Sequence, residues 1–81
     1  MTILQWLKAT LDGLVTDPTA IVIQEKTDEM GILFTISSTN KKDVGILIGR
    51  GGEHVNALRV LLRTHGHLHD VKASLKITST V

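Results

Sequence analysis

The feature that most constrains this chain is a glycine-rich break, Gly49-Arg50-Gly51-Gly52, between two stretches of helical periodicity at 41–47 and 53–63. Glycine loses more backbone entropy on folding than any other residue, so three glycines in four positions indicate a turn that needs bare backbone. Such a turn lets a ligand approach the main chain closely, and the N–H groups that open the following helix attract anions. The segment therefore predicts a site for a phosphate group.

Two common phosphate-binding motifs do not fit this break. The Walker A motif needs a Lys followed by Ser or Thr, which the chain lacks here, and the dinucleotide fingerprint needs a third glycine where His54 stands. The remaining pattern is Gly-x-x-Gly with Ile48 immediately before it. That spacing is much more specific when it joins two helices that have strands on both sides.

Hydrophobic periodicity predicts an α+β domain with the element order α-β-β-α-α-β. We expect a helix over residues 2–15 with Thr2 as its N-cap, and a hairpin formed by the β-branched runs 20–26 and 31–38. Alternating apolar and polar residues over 71–78 predict a half-buried last strand. Because two helices separate the last two strands, we expect a mixed three-stranded sheet covered on one face by three helices.

Length and composition limit the chain to a single small domain over residues 1–81. The chain has no cysteine, which excludes disulfides, thiolate zinc sites and cysteine nucleophiles. No apolar run reaches the roughly 18 residues of a membrane span, and the N-terminus lacks the pattern of a signal peptide. We therefore expect a cytoplasmic protein with no membrane partner.

The formal net charge of +1 conceals an uneven distribution. Residues 1–40 hold two Lys against five acidic residues, a net charge of −3, whereas residues 41–81 hold seven basic against three acidic residues, a net charge of +4. The positive half contains the glycine break. This layout predicts a local electropositive surface on an otherwise acidic or neutral domain.

Residues 44–58 resemble the KH domain signature V-I-G-x-x-G-x-x-I, which aligns with Ile48-Gly49-Arg50-Gly51-Gly52-Glu53-His54-Val55. The element order resembles the type II KH fold, and the length is similar to that of small bacterial single-domain KH proteins of the KhpA type. The resemblance covers nearly the whole chain. KH domains bind about four nucleotides of single-stranded RNA or DNA and clamp the backbone with the GxxG loop.

The resemblance implies a function and partners. We expect weak, sequence-tolerant binding of single-stranded RNA, or of single-stranded DNA, by an RNA chaperone or post-transcriptional regulator. It also implies a homodimer, or a heterodimer with a larger KH-containing RNA-binding protein.

The site residues carried over from the family are the loop and its apolar support. Gly49 and Gly52 match the two fixed glycines, and Arg50 matches the basic residue often found between them. Gly51 departs from the family, where this position is more often polar or basic, and it predicts a more mobile loop and a weaker clamp. Ile48 and Val55 match the apolar positions that support the loop and form the floor of the groove.

The second helix places four polar or small residues, Gly52, Asn56, Arg59 and Arg63, within about 60° of one another. In the functional interpretation Asn56 and Arg59 extend the groove, with Arg63 more peripheral. In the alternative interpretation Arg59 and Arg63 are simply the solvated face that any amphipathic helix presents.

The four histidines have ordinary explanations. His65-Gly66-His67-Leu68-His69 is expected to form a polar variable loop at the rim of the groove, where His67 or His69 would meet RNA. The glycine within this run favours a loop over a metal site. We expect His54, beside the glycine break, to be packed or hydrogen-bonded.

Two rival function classes are weighed against RNA binding. No nucleophile, acid–base pair or paired-carboxylate arrangement stands out, so the sequence predicts no enzyme, and no cofactor or metal. A KH-fold protein-interaction module with little or no nucleic-acid binding remains the alternative, because the net charge is small and Gly51 weakens the motif. The single tryptophan, Trp6, suits either packing at the edge of the core or a partner interface.

Overall fold

The computed structural model describes residues 2–79. The element order α-β-β-α-α-β of a type II KH fold is confirmed. The helices are α1 (Ile3–Asp12), α2 (Lys41–Ile48) and α3 (Glu53–Leu68), the strands are β1 (Ile21–Asp28), β2 (Gly31–Ser38) and β3 (Ala73–Ser79), and short 3₁₀ turns lie at Pro18–Ala20 and Arg50–Gly52.

The three strands form one mixed sheet, as predicted, and their order in the sheet is β1-β2-β3. β1 and β2 pair antiparallel from Ile21↔Ser38 to Asp28↔Gly31, and β2 pairs parallel with β3 from Ile32↔Ala73 onwards. The hairpin turn is stabilised by a hydrogen bond from the Met30 N–H to Asp28 Oδ1, at 2.7 Å. β3 is an edge strand of this sheet, and α3 packs beside it.

α1 begins where its sequence allows a complete capping box. The Thr2 side chain accepts a hydrogen bond from the Gln5 N–H, and the Gln5 side chain accepts one from the Thr2 N–H. The helix ends at Asp12 with Gly13 as its C-cap, and its buried residues Ile3, Leu7 and Leu11 share one face because they recur every four residues. The predicted N-cap is therefore confirmed, and the helix is shorter than the range 2–15.

The core lies between the helices and one face of the sheet. Phe34 and Ile36 of β2 and Leu75 of β3 are buried on that face, whereas Val22 and Leu33 point to the opposite face and are partly exposed. Each fully buried side chain of this size contributes about 1.5–3 kcal/mol. The strands also bury Ile21 and Ala73, and the helices supply the other buried apolar residues, which are Ile3, Leu7, Leu11, Leu47, Val55, Leu58 and Leu62.

The structure corrects the prediction of a histidine-containing variable loop. α3 continues through His65, Gly66 and His67 to Leu68, and only His69–Lys72 connect it to β3. Gly66 makes this short connection feasible, since it is buried and its carbonyl accepts a 2.9 Å hydrogen bond from the Val71 N–H. A Cβ on Gly66 would lie 2.6 Å from the Val71 carbonyl oxygen.

Trp6 packs at the edge of the core. Its ring is half-buried and stacks on His65, with ring centroids 4.8 Å apart and an interplanar angle of 13°. His65 in turn contacts the His69 ring, at a centroid distance of 4.9 Å. His65 therefore packs α1 against the C-terminal half of α3 instead of lining a loop.

A buried carboxylate ties α2 to the segment that follows α1. Asp43 Oδ1 accepts hydrogen bonds from the Thr16 N–H and hydroxyl at 2.9 and 2.8 Å, and Oδ2 accepts one from the Asp17 N–H at 2.9 Å. Burial acts to raise the pKa of Asp43, but these hydrogen bonds and the nearby charge of Lys42 hold it below its ordinary value of 3.8. The ionised carboxylate thus fixes the position of the helix that leads into the glycine break.

The described residues, 2–79, contain no helix long and apolar enough to cross a membrane.

Candidate nucleic-acid interface

The glycine loop, defined as Gly49–Gly52, has a backbone that only glycine adopts readily. Gly49 has φ 75° and ψ 173°, a region that is essentially restricted to glycine. Gly51 and Gly52 are left-handed, with φ of 65° and 79°. Because side chains other than glycine are strained at these angles, the three glycines are explained by backbone conformation as well as by ligand access.

His54 braces the loop from the first turn of α3. Its Nδ1 lies 2.6 Å from the Ile46 carbonyl oxygen of α2, and since a carbonyl only accepts, Nδ1 carries the proton. The ring crosses directly over Gly49, where a Cβ would lie 2.7 Å from His54 Cγ and 2.9 Å from its backbone nitrogen. The prediction that His54 is hydrogen-bonded is confirmed. The close approach of His54 leaves no space for a side chain at position 49, which is a second cause, besides the backbone angles, for glycine there.

The tip of the loop is open to solvent. Arg50 and Gly51 are exposed, and no atom outside the immediate chain neighbours lies within 4 Å of where a Cβ on Gly51 would be. Gly52 is the N-cap of α3, and it provides no side chain to accept a hydrogen bond from the first N–H groups. The loop therefore exposes a side-chain cation beside a helix N-terminus that carries a partial positive charge.

An apolar patch adjoins the loop. Ile48, the last residue of α2, is exposed, whereas Val55, in the first turns of α3, is buried beneath the loop. The two residues predicted to support the loop are thus adjacent to it, and they differ in role. Val55 belongs to the core, and Ile48 is accessible to a ligand.

The polar stripe on α3 starts at the loop and follows the edge of the sheet. Arg59 Nη1 donates a 3.2 Å hydrogen bond to Asn56 Oδ1, and Arg59 Nε donates one of 3.4 Å to the Leu75 carbonyl oxygen of β3. Arg59 is therefore held along the edge strand, although its side chain remains exposed. Arg63 lies one turn farther from the loop.

The structure brings most of the predicted site residues together in one surface, the loop groove, running from the end of α2 across the glycine loop to β3. Its members are Ile48, Gly49, Arg50, Gly51, Gly52, Asn56 and Arg59, and Val55 lies buried beneath them. His65 packs on Trp6, and the contact of RNA with His67 or His69, both of which are exposed, stays a prediction. Across residues 2–79 no three His, Asp or Glu side chains form a group able to hold a metal ion.

Comparison with models of known protein families shows which family the chain belongs to. The model of the KhpA/KhpB KH domain matches residues 5–77. The chain belongs to this family. A search of curated proteins finds no match. Membership in the KhpA/KhpB family indicates an RNA-binding role and association with other KH proteins, and KH domains are nucleic-acid-binding modules and not enzymes.

Sequence reasoning missed two features of this KhpA/KhpB-family chain. One is Asp43, because an acidic residue in the first turn of a helix is ordinarily exposed and gives no sign of burial. The other is Lys72, which the short connection between α3 and β3 brings close to Arg59 and Arg63. No local pattern marks Lys72, since it is separated from Arg63 by the end of a helix and a turn.

Proposed function

We propose that the loop groove binds single-stranded RNA weakly and with little sequence preference. The observation that carries the proposal is the geometry of the glycine loop, in which an exposed Arg50 adjoins the uncapped N-terminus of α3. A phosphate at this position would receive hydrogen bonds from backbone N–H groups and the charge of Arg50. Asn56 and Arg59 would then follow the strand along the edge of β3.

The same geometry supports low affinity and low sequence preference. The loop carries a single cation, and the exposed Glu53 in the first turn of α3 competes with a phosphate for the helix N-terminus. Aromatic side chains that stack on bases supply much of the affinity in many single-strand binders. Here Phe34 is buried and Trp6 packs on His65, so neither lines the loop groove.

A fluorescence-anisotropy titration with a short unstructured RNA tests the proposal. We expect saturable binding whose log K falls by about 0.7 per phosphate neutralised as log salt rises. The double variant Arg50→Asp, Gly51→Asp should lose most of this binding, because it places two carboxylates where the phosphate would lie.

A matched control uses the same change of charge on α1. Lys8→Glu with Ala9→Glu also lowers the net charge by three, and α1 packs near His65, about 18 Å along α3 from the glycine loop. This control should bind RNA almost as the wild type does. Indistinguishable binding by the wild type and the loop variant would refute the groove assignment and favour the protein-interaction module.

An exposed apolar stripe on α3 supports the proposed pairing with a second KH chain. Ala57, Val60, Leu61 and Leu68 lie on one side of the helix with Thr64 among them, and Leu61 and Leu68 are 51% and 80% exposed. A continuous apolar stripe of this kind marks a protein interface more often than a solvated surface. We propose that it packs against a second copy of this chain or against a larger KH-containing protein.

Sedimentation of the purified chain tests the pairing. A homodimer predicts a species of about twice 8.8 kDa at micromolar concentration, and Leu61→Glu should convert it to monomer. Val22→Glu is the matched control, because Val22 is equally exposed, at 51%, but lies on the open face of the sheet. A monomer of 8.8 kDa, with no KH protein recovered from cells, would contradict the pairing.

The cellular role that we propose is that of a cytoplasmic RNA chaperone or post-transcriptional regulator. Weak, sequence-tolerant contacts suit a protein that binds and releases many RNAs, and pairing with a second RNA-binding surface would raise its apparent affinity. An annealing assay with two complementary RNAs tests the chaperone activity. We expect faster annealing with the wild type than with the Arg50→Asp, Gly51→Asp variant.

A further inference from the structure

A concave site lies beyond the far end of the loop groove, where the β1–β2 hairpin, α3 and the start of β3 meet. It has a volume of about 420 Å³, and its walls include Arg59 and Arg63 of α3, Lys72 of the connection to β3, and Met30 and Leu33 of the hairpin. A volume within about 300–1,000 Å³ is typical of pockets that hold small molecules. We call this cavity the hairpin pocket.

The hairpin pocket has an excess of positive charge. Arg59, Arg63 and Lys72 face one carboxylate, Asp28, whose Oδ1 already accepts the Met30 N–H at 2.7 Å. Within residues 2–79 the side chains of Arg63 and Lys72 form no ion pair and no hydrogen bond with the protein. Two cations on one wall, with no acidic partner, favour an anionic ligand.

The lining of the hairpin pocket also includes exposed apolar side chains. Leu33 is partly exposed on the open face of the sheet, and Met30 is largely exposed at the hairpin tip. Methionine is flexible and adapts to flat or irregular surfaces. A ligand that combines an anionic group with a flat, mostly apolar body suits a lining of cations and apolar side chains, and a nucleotide has that combination.

Arg59 connects the hairpin pocket to the loop groove. Its guanidinium contacts Asn56 on the loop side, and the same residue lines the pocket on the other side. From Gly52 to Arg63 the stripe extends eleven residues along α3, or about 16 Å. A strand that leaves the loop groove along α3 therefore meets Arg63 and Lys72 next.

We propose that the hairpin pocket holds a nucleotide of the same RNA strand, adjacent to those bound in the loop groove. Arg63 and Lys72 contact its phosphate, and Met30 and Leu33 contact its base. The inference rests on the proposed function and extends it, because it gives the domain a longer footprint than the four nucleotides of a single GxxG groove.

The test is a comparison of RNA lengths. Four-nucleotide and eight-nucleotide RNAs of one unstructured sequence are titrated against the wild type, Arg63→Gln and Lys72→Gln, at several salt concentrations. Lys8→Gln removes the same unit of charge from α1 and is the matched control. All three substituted side chains are at least partly exposed at the surface, so each variant is expected to fold.

We expect the wild type to bind the longer RNA more tightly, with a steeper salt dependence. Arg63→Gln and Lys72→Gln should each lower the salt slope for the eight-nucleotide RNA by about 0.7 and leave binding of the four-nucleotide RNA unchanged. If both variants behave as Lys8→Gln does with the longer RNA, the hairpin pocket does not bind the strand. An acidic peptide that displaces the longer RNA in the wild type but not in Arg63→Gln would also overturn the assignment to a nucleotide.

The same titrations distinguish failure of the hairpin-pocket proposal from failure of the proposed RNA binding by the loop groove. If the Arg50→Asp, Gly51→Asp variant loses both RNAs while Arg63→Gln and Lys72→Gln bind as the control does, only the extended footprint is wrong. If the loop variant binds both RNAs as the wild type does, the loop groove itself is wrong, and the inference is overturned with it.

Discussion

Replacing Gly49 and Gly51 in turn by alanine should show which of the two positions contributes more to the free energy of unfolding. Alanine at Gly49 must adopt φ 75° and ψ 173°, and such strained conformations cost about 1–3 kcal/mol. Its Cβ would also lie 2.7 Å from His54 Cγ and 2.9 Å from the His54 backbone nitrogen, and overpacking of this kind costs about 1–3 kcal/mol more. We expect Gly49→Ala to lose about 4 kcal/mol.

Gly51→Ala is the matched comparison within the same loop. Gly51 is left-handed, with φ 65° and ψ 19°, and a Cβ there meets nothing within 4 Å. Alanine in this conformation costs about 1–2 kcal/mol from backbone strain alone. The two variants should therefore differ by about 2–3 kcal/mol, although the same atoms are added.

Urea denaturation followed by far-UV circular dichroism measures these differences. For a chain of this length the total stability is about 4–12 kcal/mol, so Gly49→Ala should unfold at a much lower urea midpoint. In thermal melts a difference of 2–3 kcal/mol corresponds to about 10–20 °C between the variants. Equal losses at Gly49 and Gly51 would show that the contact with His54 does not constrain the loop.

Three further predictions concern the loop, the buried carboxylate and the end of α3. Gly51→Lys adds a second cation to the loop, where the structure leaves space for a side chain. In anisotropy titrations we expect tighter RNA binding and a salt slope that is steeper by about 0.7. An unchanged slope would place the phosphate elsewhere. Since its folded-state pKa lies below the ordinary 3.8, the stabilisation from ionised Asp43 is complete above about pH 4 and is lost as the pH falls through the lowered pKa. Asp43→Asn should therefore be less stable than the wild type at pH 6, with a difference that shrinks by pH 3, whereas the surface variant Asp12→Asn should show no comparable loss at pH 6. Gly66→Ala should destabilise the domain by about 1–3 kcal/mol, because the new Cβ would overlap the Val71 carbonyl. Gly45→Ala, in open space on α2, should stabilise the domain by about 1 kcal/mol. If Gly66→Ala unfolded at a higher urea midpoint than Gly45→Ala, the packing described at Gly66 would be contradicted.

The correct sequence predictions are those that rest on local chemistry. The Thr2 cap, the hairpin, the break after Ile48 and the alternation over 71–78 each follow from residues close together in the chain. The strand boundaries differ by one to two residues for local reasons as well. β3 begins at Ala73 because the Val71 N–H bonds to Gly66 and not to the neighbouring strand.

The predictions that failed required knowledge of distant contacts. Histidines and a glycine in succession are typical of a loop, yet α3 continues through them, and His65 packs on Trp6 of α1. The hydrogen bond from Arg59 to the Leu75 carbonyl joins residues sixteen apart, and no local pattern predicts it.

Periodicity and the Gly49–Gly52 break thus predicted the element order and the mixed sheet, because capping, alternation and glycine conformation act over a few residues, and the resemblance to the KH signature added the type II KH fold. The tertiary structure decided the length of α3, the burial of Asp43 and the meeting of Arg63 with Lys72 at the hairpin. Those features depend on which surfaces pack against one another. Packing brings together side chains that are far apart along the chain, and such pairs produce no local sequence pattern.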